Sequence, residues 1–432
     1  MVIPQGCGDY AVMAHQLSPH LTYTDMVRVF GRIGCLSFGG PATQIALMQR
    51  ELVDKRAWLS QPDFLKALSF CMMLPGPEAM QLATYAGWKL HGVRGGLIAG
   101  GLFVLPGALV IAALAFAYAA FGALPFVQAA FLGIKAAVIV IVVQAIVRLL
   151  GKAVDRTDHR ILALAALLAL FLFNLPFPIV IAAAAAYGAL TGYDESATRT
   201  ALPWRASVAP IAIGGALWAA PLVIAWALGA TFLLTLGLFF SNLAVVTFGG
   251  AYAVLAYMTQ AVVTEHGWLT TPQMIDALGL AETTPGPLIL VTEFTGILAG
   301  IAQGGAALGV LAGLMTLWVT FVPCFIWIFA GAPLIDWLDG YPRIRAALAA
   351  ITAAVVGVIA NLSLWFAAHV MYDQITTTSG VFRVLSPVWA SFNVSAFALT
   401  VLAAVLLLMR KWPLSWALLA MSGAGVALSF LA

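Results

Sequence analysis

A Pro-Gly-Pro triplet set in a long apolar run occurs twice in this chain, at Pro75-Gly76-Pro77 and again 210 positions later at Pro285-Gly286-Pro287. Each proline removes a backbone donor and collides with the preceding turn, and the glycine loosens what remains. No helix passes through such a triplet unbroken. The apolar runs that recur along the chain are about 20 residues long, enough to cross a bilayer as helices. Of 432 residues 63% are hydrophobic and 9% charged, against roughly 25% charged in soluble domains. The fold class read from this is an all-α polytopic integral membrane protein. A transmembrane β-barrel would need short alternating strands, which the sequence lacks. Interrupted helices at matching places in two halves are the sequence mark of a transport site.

The triplets belong to a longer repeat. An offset of 210 also superposes Phe30 on Phe240, Phe38-Gly39-Gly40 on Phe248-Gly249-Gly250, Trp58-Leu59 on Trp268-Leu269 and Pro62 on Pro272. Further on it sets Ile134-Lys135-Ala136-Ala137 against Ile344-Arg345-Ala346-Ala347. A run of matched Trp, Pro and Phe is hard to obtain by chance, and two homologous repeats are expected. The expected division is an N-terminal tail at 1–21, a first repeat at 22–192, a linker with an extra apolar helix at 193–231 and a second repeat at 232–432. Basic residues cluster at Arg50/Lys55/Arg56, Lys89/Arg94 and Arg148 to Arg160 in the first half and move to the alternate loops in the second. By the positive-inside rule this favours inverted repeats with re-entrant helices, about 10–13 membrane segments in all. Residues 22–33, with Asp25, Arg28 and Arg32 among apolar positions, read as an interfacial or partly inserted helix. No basic stretch followed by an apolar core opens the chain, so no cleaved signal peptide is expected.

The chemistry available lies at the breaks. A helix restarting after Pro77 or Pro287 presents unpaired amides and the positive end of its dipole at membrane depth, an anion site without a charged side chain. The competing reading is a packing kink. The second pair of breaks, Ser37-Phe38-Gly39-Gly40-Pro41 and Thr247-Phe248-Gly249-Gly250, offers hydroxyls and close backbone approach, or only tight helix packing. Gln81 and Thr284 stand beside the corners. Lys135 lies within an apolar span and is a candidate neutralising charge; Arg345 reads more as a snorkelling side chain. Glu78, Glu282 and Glu293 are candidate proton carriers or helix caps. Cys7, Cys35, Cys71 and Cys324 show neither metal spacing nor a disulfide framework. No nucleophile elbow, zinc-protease motif or phosphate loop occurs, so neither an enzyme nor a resident cofactor is expected. The net charge of +3 lies in short loops and does not suggest nucleic acid.

The residues Phe-Gly-x-Ile-Gly-x-x-Ser-Phe-Gly-Gly-Pro at 30–41, Leu-Pro-Gly-Pro at 74–77, and their second-half echoes resemble the chromate ion transporter family in its long two-repeat form. The resemblance covers both halves, roughly 22–192 and 232–431. It implies a multi-pass inner-membrane protein of a bacterium or archaeon that exports chromate, with sulfate as the related anion, driven by the membrane gradient. The family motif maps here onto Phe38, Gly39, Gly40, Pro41, Pro75, Gly76, Pro77 and their partners; Ala251 stands where the first half has Pro41. The expected binding set is Ser37, Phe38, Gly39, Gly40, Pro41, Pro75, Gly76, Pro77, Glu78, Gln81 and Lys135 from the first half. From the second it is Thr247, Phe248, Gly249, Gly250, Glu282, Thr284, Pro285, Gly286 and Pro287. Sulfate transport, an anion channel and an intramembrane enzyme remain alternatives. The oligomeric state is open, a homodimer included.

Overall fold

The computed structural model describes residues 21–153, 156–173, 175–192, 204–248, 251–335, 341–377 and 385–430. Among these the chain is helical apart from turns and a two-stranded hairpin, β1 (Ile375–Thr377) with β2 (Leu385–Pro387). The first group of helices is α1 (Tyr23–Leu36), α2 (Gly40–Gln49), α3 (Gln61–Met73), α4 (Glu78–Phe121), α5 (Pro125–Ala153), α6 (Thr157–Phe171) and α7 (Phe177–Thr191). Then α8 (Trp204–Ala227) leads to α9 (Thr231–Val246), α10 (Ala251–Gln260), α11 (Thr271–Thr283), α12 (Val291–Gly331), α13 (Pro342–Met371), α14 (Val394–Ala404) and α15 (Leu414–Ser429). Among the described residues five segments are long and apolar enough to cross a membrane.

The order of elements is the same in both groups. A short helix ends at a Phe-Gly break, a ten-residue helix closes in a π-helical turn (Arg50–Asp54; Ala261–Glu265), and a thirteen-residue helix runs into Pro-Gly-Pro. α4 is not one rod. His91 and Gly92 leave helical geometry, and Gly92 takes φ +60. The two arms then fold back on one another: a Cβ on Gly87 would lie 2.3 Å from the Gly95 carbonyl, and Gly100 faces the Thr84 hydroxyl. α12 turns in the same way at Gly304-Gly305. The helix after each corner is therefore a half-length piece, and only the following arm is long enough to cross.

α1 starts beside this turn, with Tyr23 stacked on His91 at 4.7 Å, and its mid-point meets the loop before α3 through Phe30 and Trp58. Gln49 at the end of α2 bonds Gln61 at the start of α3. These contacts put the start of α1, the end of α2, the start of α3 and the turn of α4 at one end of the first group. α1 carries the amphipathic pattern expected of it: Met26, Val29, Phe30 and Ile33 are buried, Arg28 and Arg32 exposed, and Thr22 with Asp25 forms a capping box.

The sequence match at Lys135 and Arg345 does not mark equivalent places. Gly425 packs on Ala129 as Gly188 packs on Ala346, each with a virtual Cβ 2.2 to 2.3 Å from a carbonyl oxygen. Ala346 stands seven positions beyond the place an offset of 210 assigns to Ala129, and the turn at Gly304-Gly305 already comes three positions late. Residues inserted after the second corner shift the register, so Lys135 corresponds to Thr352 rather than to Arg345.

Helices in this fold touch through glycines because no hydrophobic force holds apolar helices together in lipid and close backbone approach must do so. Gly425→Ala is expected to destabilise the protein by about 1–3 kcal/mol through overpacking, whereas Gly423, with nothing within 4 Å of a Cβ, tolerates alanine. Thermal stability of the two variants in detergent tests this. A second expectation concerns Glu51, buried at the end of α2 and paired with Lys55 (2.8 Å) and Arg56. The Lys55 hydrogen bond leads in holding its carboxyl down at about 2. Its contribution is thus complete above the ordinary carboxylate range and is lost as pH falls toward 2. Glu51→Gln should flatten the acid limb of the stability–pH curve between about pH 4.5 and 2.

Candidate functional site

The four breaks meet crosswise. The Gly76 amide of the first corner donates to the Thr247 carbonyl of the second half's Phe-Gly break at 2.7 Å. The Gly286 amide of the second corner donates to the Ser37 carbonyl of the first half's break at 3.0 Å. Each corner is completed by the other half of the chain. Gln44, in the first turns of α2, fastens one crossing: its Nε2 donates to the Gly286 carbonyl at 2.7 Å and to the Ser37 carbonyl at 3.1 Å.

Local sequence explains these shapes. Gly39, Gly40, Gly76 and Gly286 have φ of 84, 77, 120 and 88, values that side chains with a Cβ avoid. At Gly76 a Cβ would also meet Cys324 Sγ at 2.9 Å, and Gly286 lies against Gly107 of α4. Pro41 sits in the first turn of α2, where its missing amide costs nothing. The hydroxyls of Ser37, Thr247 and Thr284 donate back to the carbonyls of Ile33, Leu243 and Ala281. Their protons end helices and are not offered to a ligand. Gln81 donates to the Pro75 carbonyl at 2.7 Å, while its Oε1 is buried without a partner.

What the corners leave over is amides. Gln81 is the first residue after Pro77 whose N–H closes a helical bond, back to Pro77. The N–H groups of Ala79 and Met80 donate to no described acceptor, and those of Leu288 and Ile289 after the second corner are in the same condition. Ala79, Met80, Leu288 and Ile289 are all at most 4% exposed. Buried main-chain donors without acceptors are rare in native proteins. Two helix starts carrying such donors form a setting for an oxyanion.

Lys135 goes elsewhere. Its Nζ lies 3.0 Å from Oδ1 of Asp276, a fully buried residue of α11, and the Tyr118 hydroxyl donates to Oδ2 at 2.7 Å. A partly buried ammonium paired in this way is not a free charge for an anion. Asp276 and Tyr118 have no counterpart in the sequence reading; an aspartate in an apolar helix was the available signal. A cavity of about 430 Å³ opens beside Lys135 and His369. A larger one, about 840 Å³, is lined by Lys66, Ser69, Arg156, Arg345 and Thr352 and reaches Met73, two residues before Pro75.

Of the sequence candidates, the structure brings together Ser37, Gly76, Thr247 and Gly286 directly and Gln81 with Pro75. Phe38, Gly39, Gly40, Pro41, Pro77, Phe248, Thr284, Pro285 and Pro287 flank these contacts along the chain, and Glu78 opens α4. Glu282 is buried near the end of α11 beside Val138 and Phe366. Gly249 and Gly250 lie outside the described residues. Among the described residues no group of three or more His, Cys, Asp or Glu could hold a metal.

The family model described as Chromate transporter matches residues 24–189 and again 234–427. The chain is 31% identical to the chromate transport protein of Cupriavidus metallidurans, over 86% of this chain and 89% of that one. It is 34% identical to the chromate transport protein of Pseudomonas aeruginosa, over 79% and 80%. An uncharacterized transporter of Methanocaldococcus jannaschii is 26% identical over 78% and 83%. No solved structure matches. These relatives are named as transporters, which points to transport rather than catalysis. Two matches to one family model, spread over a helical bundle with five segments long enough to span a bilayer, establish that this chain is a multi-pass membrane protein of the chromate transporter family.

Proposed function

We propose that the protein is a secondary transporter that exports chromate, a tetrahedral dianion, across the inner membrane. The carrying observation is the set of buried amides without described acceptors at Ala79, Met80, Leu288 and Ile289, just after the two corners. A dianion with four acceptor oxygens matches several N–H donors at once, and two helix starts supply partial positive charge where a lysine would bring a desolvation cost. The names of the relatives at 31% and 34% identity support chromate as the cargo. Sulfate shares its shape and charge and is the second substrate of the same reading.

The two groups of helices act as inverted repeats in this account. The basic loops of the first group, with Lys55, Arg56, Lys89 and Arg94, adjoin the end where α1 starts and α4 turns. The corresponding loops of the second group, at His266 and Gly304-Gly305, carry no Lys or Arg within the π turn-to-α11 link or the turn itself. The positive-inside rule then sets the two groups in opposite senses. The crossed Gly76–Thr247 and Gly286–Ser37 bonds make the central site common to both, and rocking of one group on the other exposes it to either side. The cavity that reaches Met73 is the approach from the basic end. An inside-negative potential expels a dianion with about 4.6 kcal/mol per 100 mV, twice the single-charge value.

Chromate uptake into everted membrane vesicles measures this. With the vesicle interior positive, accumulation at equilibrium should rise by about three orders of magnitude per 100 mV for a dianion crossing alone and by about half as many with one proton beside it, and collapse of the potential should abolish it. Accumulation that ignores the potential removes the driving force proposed here, and flux that never saturates favours a channel. Gln44→Leu removes two hydrogen bonds at the second corner and should lower the initial rate about tenfold with the protein still folded.

A further inference from the structure

Glu293 lies six residues beyond Pro287, at the start of α12. It is 4% exposed, and its Oε2 has no hydrogen-bond partner. Across the α12 hairpin it faces Gly313, where a Cβ would fall 3.8 Å from its Cγ. Thr316 and Thr320 follow Gly313 at helical spacing on that arm. Thr316 donates its proton to the Gly313 carbonyl, while the Thr320 hydroxyl, 3% exposed, has no partner. The charged and titratable groups on the packed elements are otherwise engaged or placed apart. On α4, Tyr118 rests its ring on neighbouring Phe294 and gives its hydroxyl to Asp276, and Glu78 opens the helix at the first corner. On α11, Asp276 is paired with Lys135, and Glu282 lies beside Val138. On α12, Cys324 stands against Gly76. Residues 207–227 of α8 and all of α9 carry no ionisable side chain, and the α10 sequence contributes Tyr252 and Tyr257.

Among the described residues no cation pairs with this carboxylate, and an unpaired charge buried there is costly. A proton is the smallest partner that removes the charge. The amides of Leu288 and Ile289 are about five residues away, roughly 8 Å of helix rise. A dianion held there and an ionised Glu293 would repel each other strongly enough to change affinity by roughly tenfold or more.

We propose that Glu293 is the proton-binding residue linked to oxyanion binding: it takes up a proton when the anion docks at the corner amides and releases it when the anion leaves. Because linkage is reciprocal, the proton also tightens anion binding by the same factor. The inference rests on the oxyanion reading given above. The sequence offers no equivalent in the first half, where the corresponding turn reads Met80-Gln81-Leu82-Ala83, so the proton site belongs to one corner only.

The test is the half-saturating chromate concentration in vesicles between about pH 7.5 and 9, where ordinary carboxylates stay ionised and chromate remains a dianion. For the unaltered protein it should rise about tenfold across that range. Glu293→Gln, which mimics the protonated acid, should be flat and should match the unaltered protein at the lower pH. A flat profile in the unaltered protein, an unchanged slope in E293Q, or a requirement for sodium in place of protons each overturns the proposal. If E293Q carries no flux, chromate quenching of tryptophan fluorescence in the purified proteins reads the same pH dependence with the same outcomes. Failure of the unaltered protein to move or bind any oxyanion would instead defeat the transport reading. Oxyanion transport with an unaltered slope in E293Q defeats only the proton site.

Discussion

Two main-chain hydrogen bonds hold the centre of this protein together: Gly76 N–H to the Thr247 carbonyl and Gly286 N–H to the Ser37 carbonyl. Each joins a Pro-Gly-Pro corner from one group of helices to a Phe-Gly break from the other. In a bilayer, broken backbone is tolerated only if its polar groups are met inside the protein. Here the first loose amide of each corner is met by a carbonyl that the opposite break has itself released. The interruptions are therefore mutually dependent. Removing one would strand the other, which gives a physical reason for breaks to come in pairs.

What the crossing does not satisfy is as informative as what it does. A restarting helix leaves several amides open, and the cross-bond consumes only the one at the corner glycine. The amides of Ala79 and Met80, and of Leu288 and Ile289, are left in a buried setting. Such donors are costly to the folded protein unless a ligand with many acceptors completes them. A tetrahedral oxyanion does so without importing a protein cation. This is consistent with Lys135 being tied to Asp276, whose other oxygen accepts from Tyr118.

Much of this was legible in the residues. Pro-Gly-Pro and Phe-Gly-Gly announce breaks through local sterics alone, and their spacing announced two groups of helices. The apolar spans followed from length and composition. The pairing of the breaks across the chain was not legible, because hydrogen bonds between main-chain groups leave no mark on side-chain identity. Gln44 was visible only as a polar residue beyond one break. The turns at His91-Gly92 and Gly304-Gly305 were missed because glycine within an Ala- and Gly-rich run carries little signal. The match of Lys135 to Arg345 misled for a related reason. In small-residue helices a short identity recurs at the wrong register, and only the backbone contacts of Gly188 and Gly425 reveal the shift. Hydroxyls at Ser37, Thr247 and Thr284 looked like ligands and turned out to donate to their own helices. The pattern is simple: local conformational rules travel with sequence, and long-range partners do not.

The direct test of the central claim is the position of the bound anion. Chromium scatters anomalously, so a structure of the protein with chromate can locate the metal of the anion without assuming a site. The account predicts one peak within hydrogen-bonding range, through the anion oxygens, of the amides after Pro77 and Pro287. A peak confined to the cavity beside Lys135 and His369, with the corner amides out of reach, would contradict it.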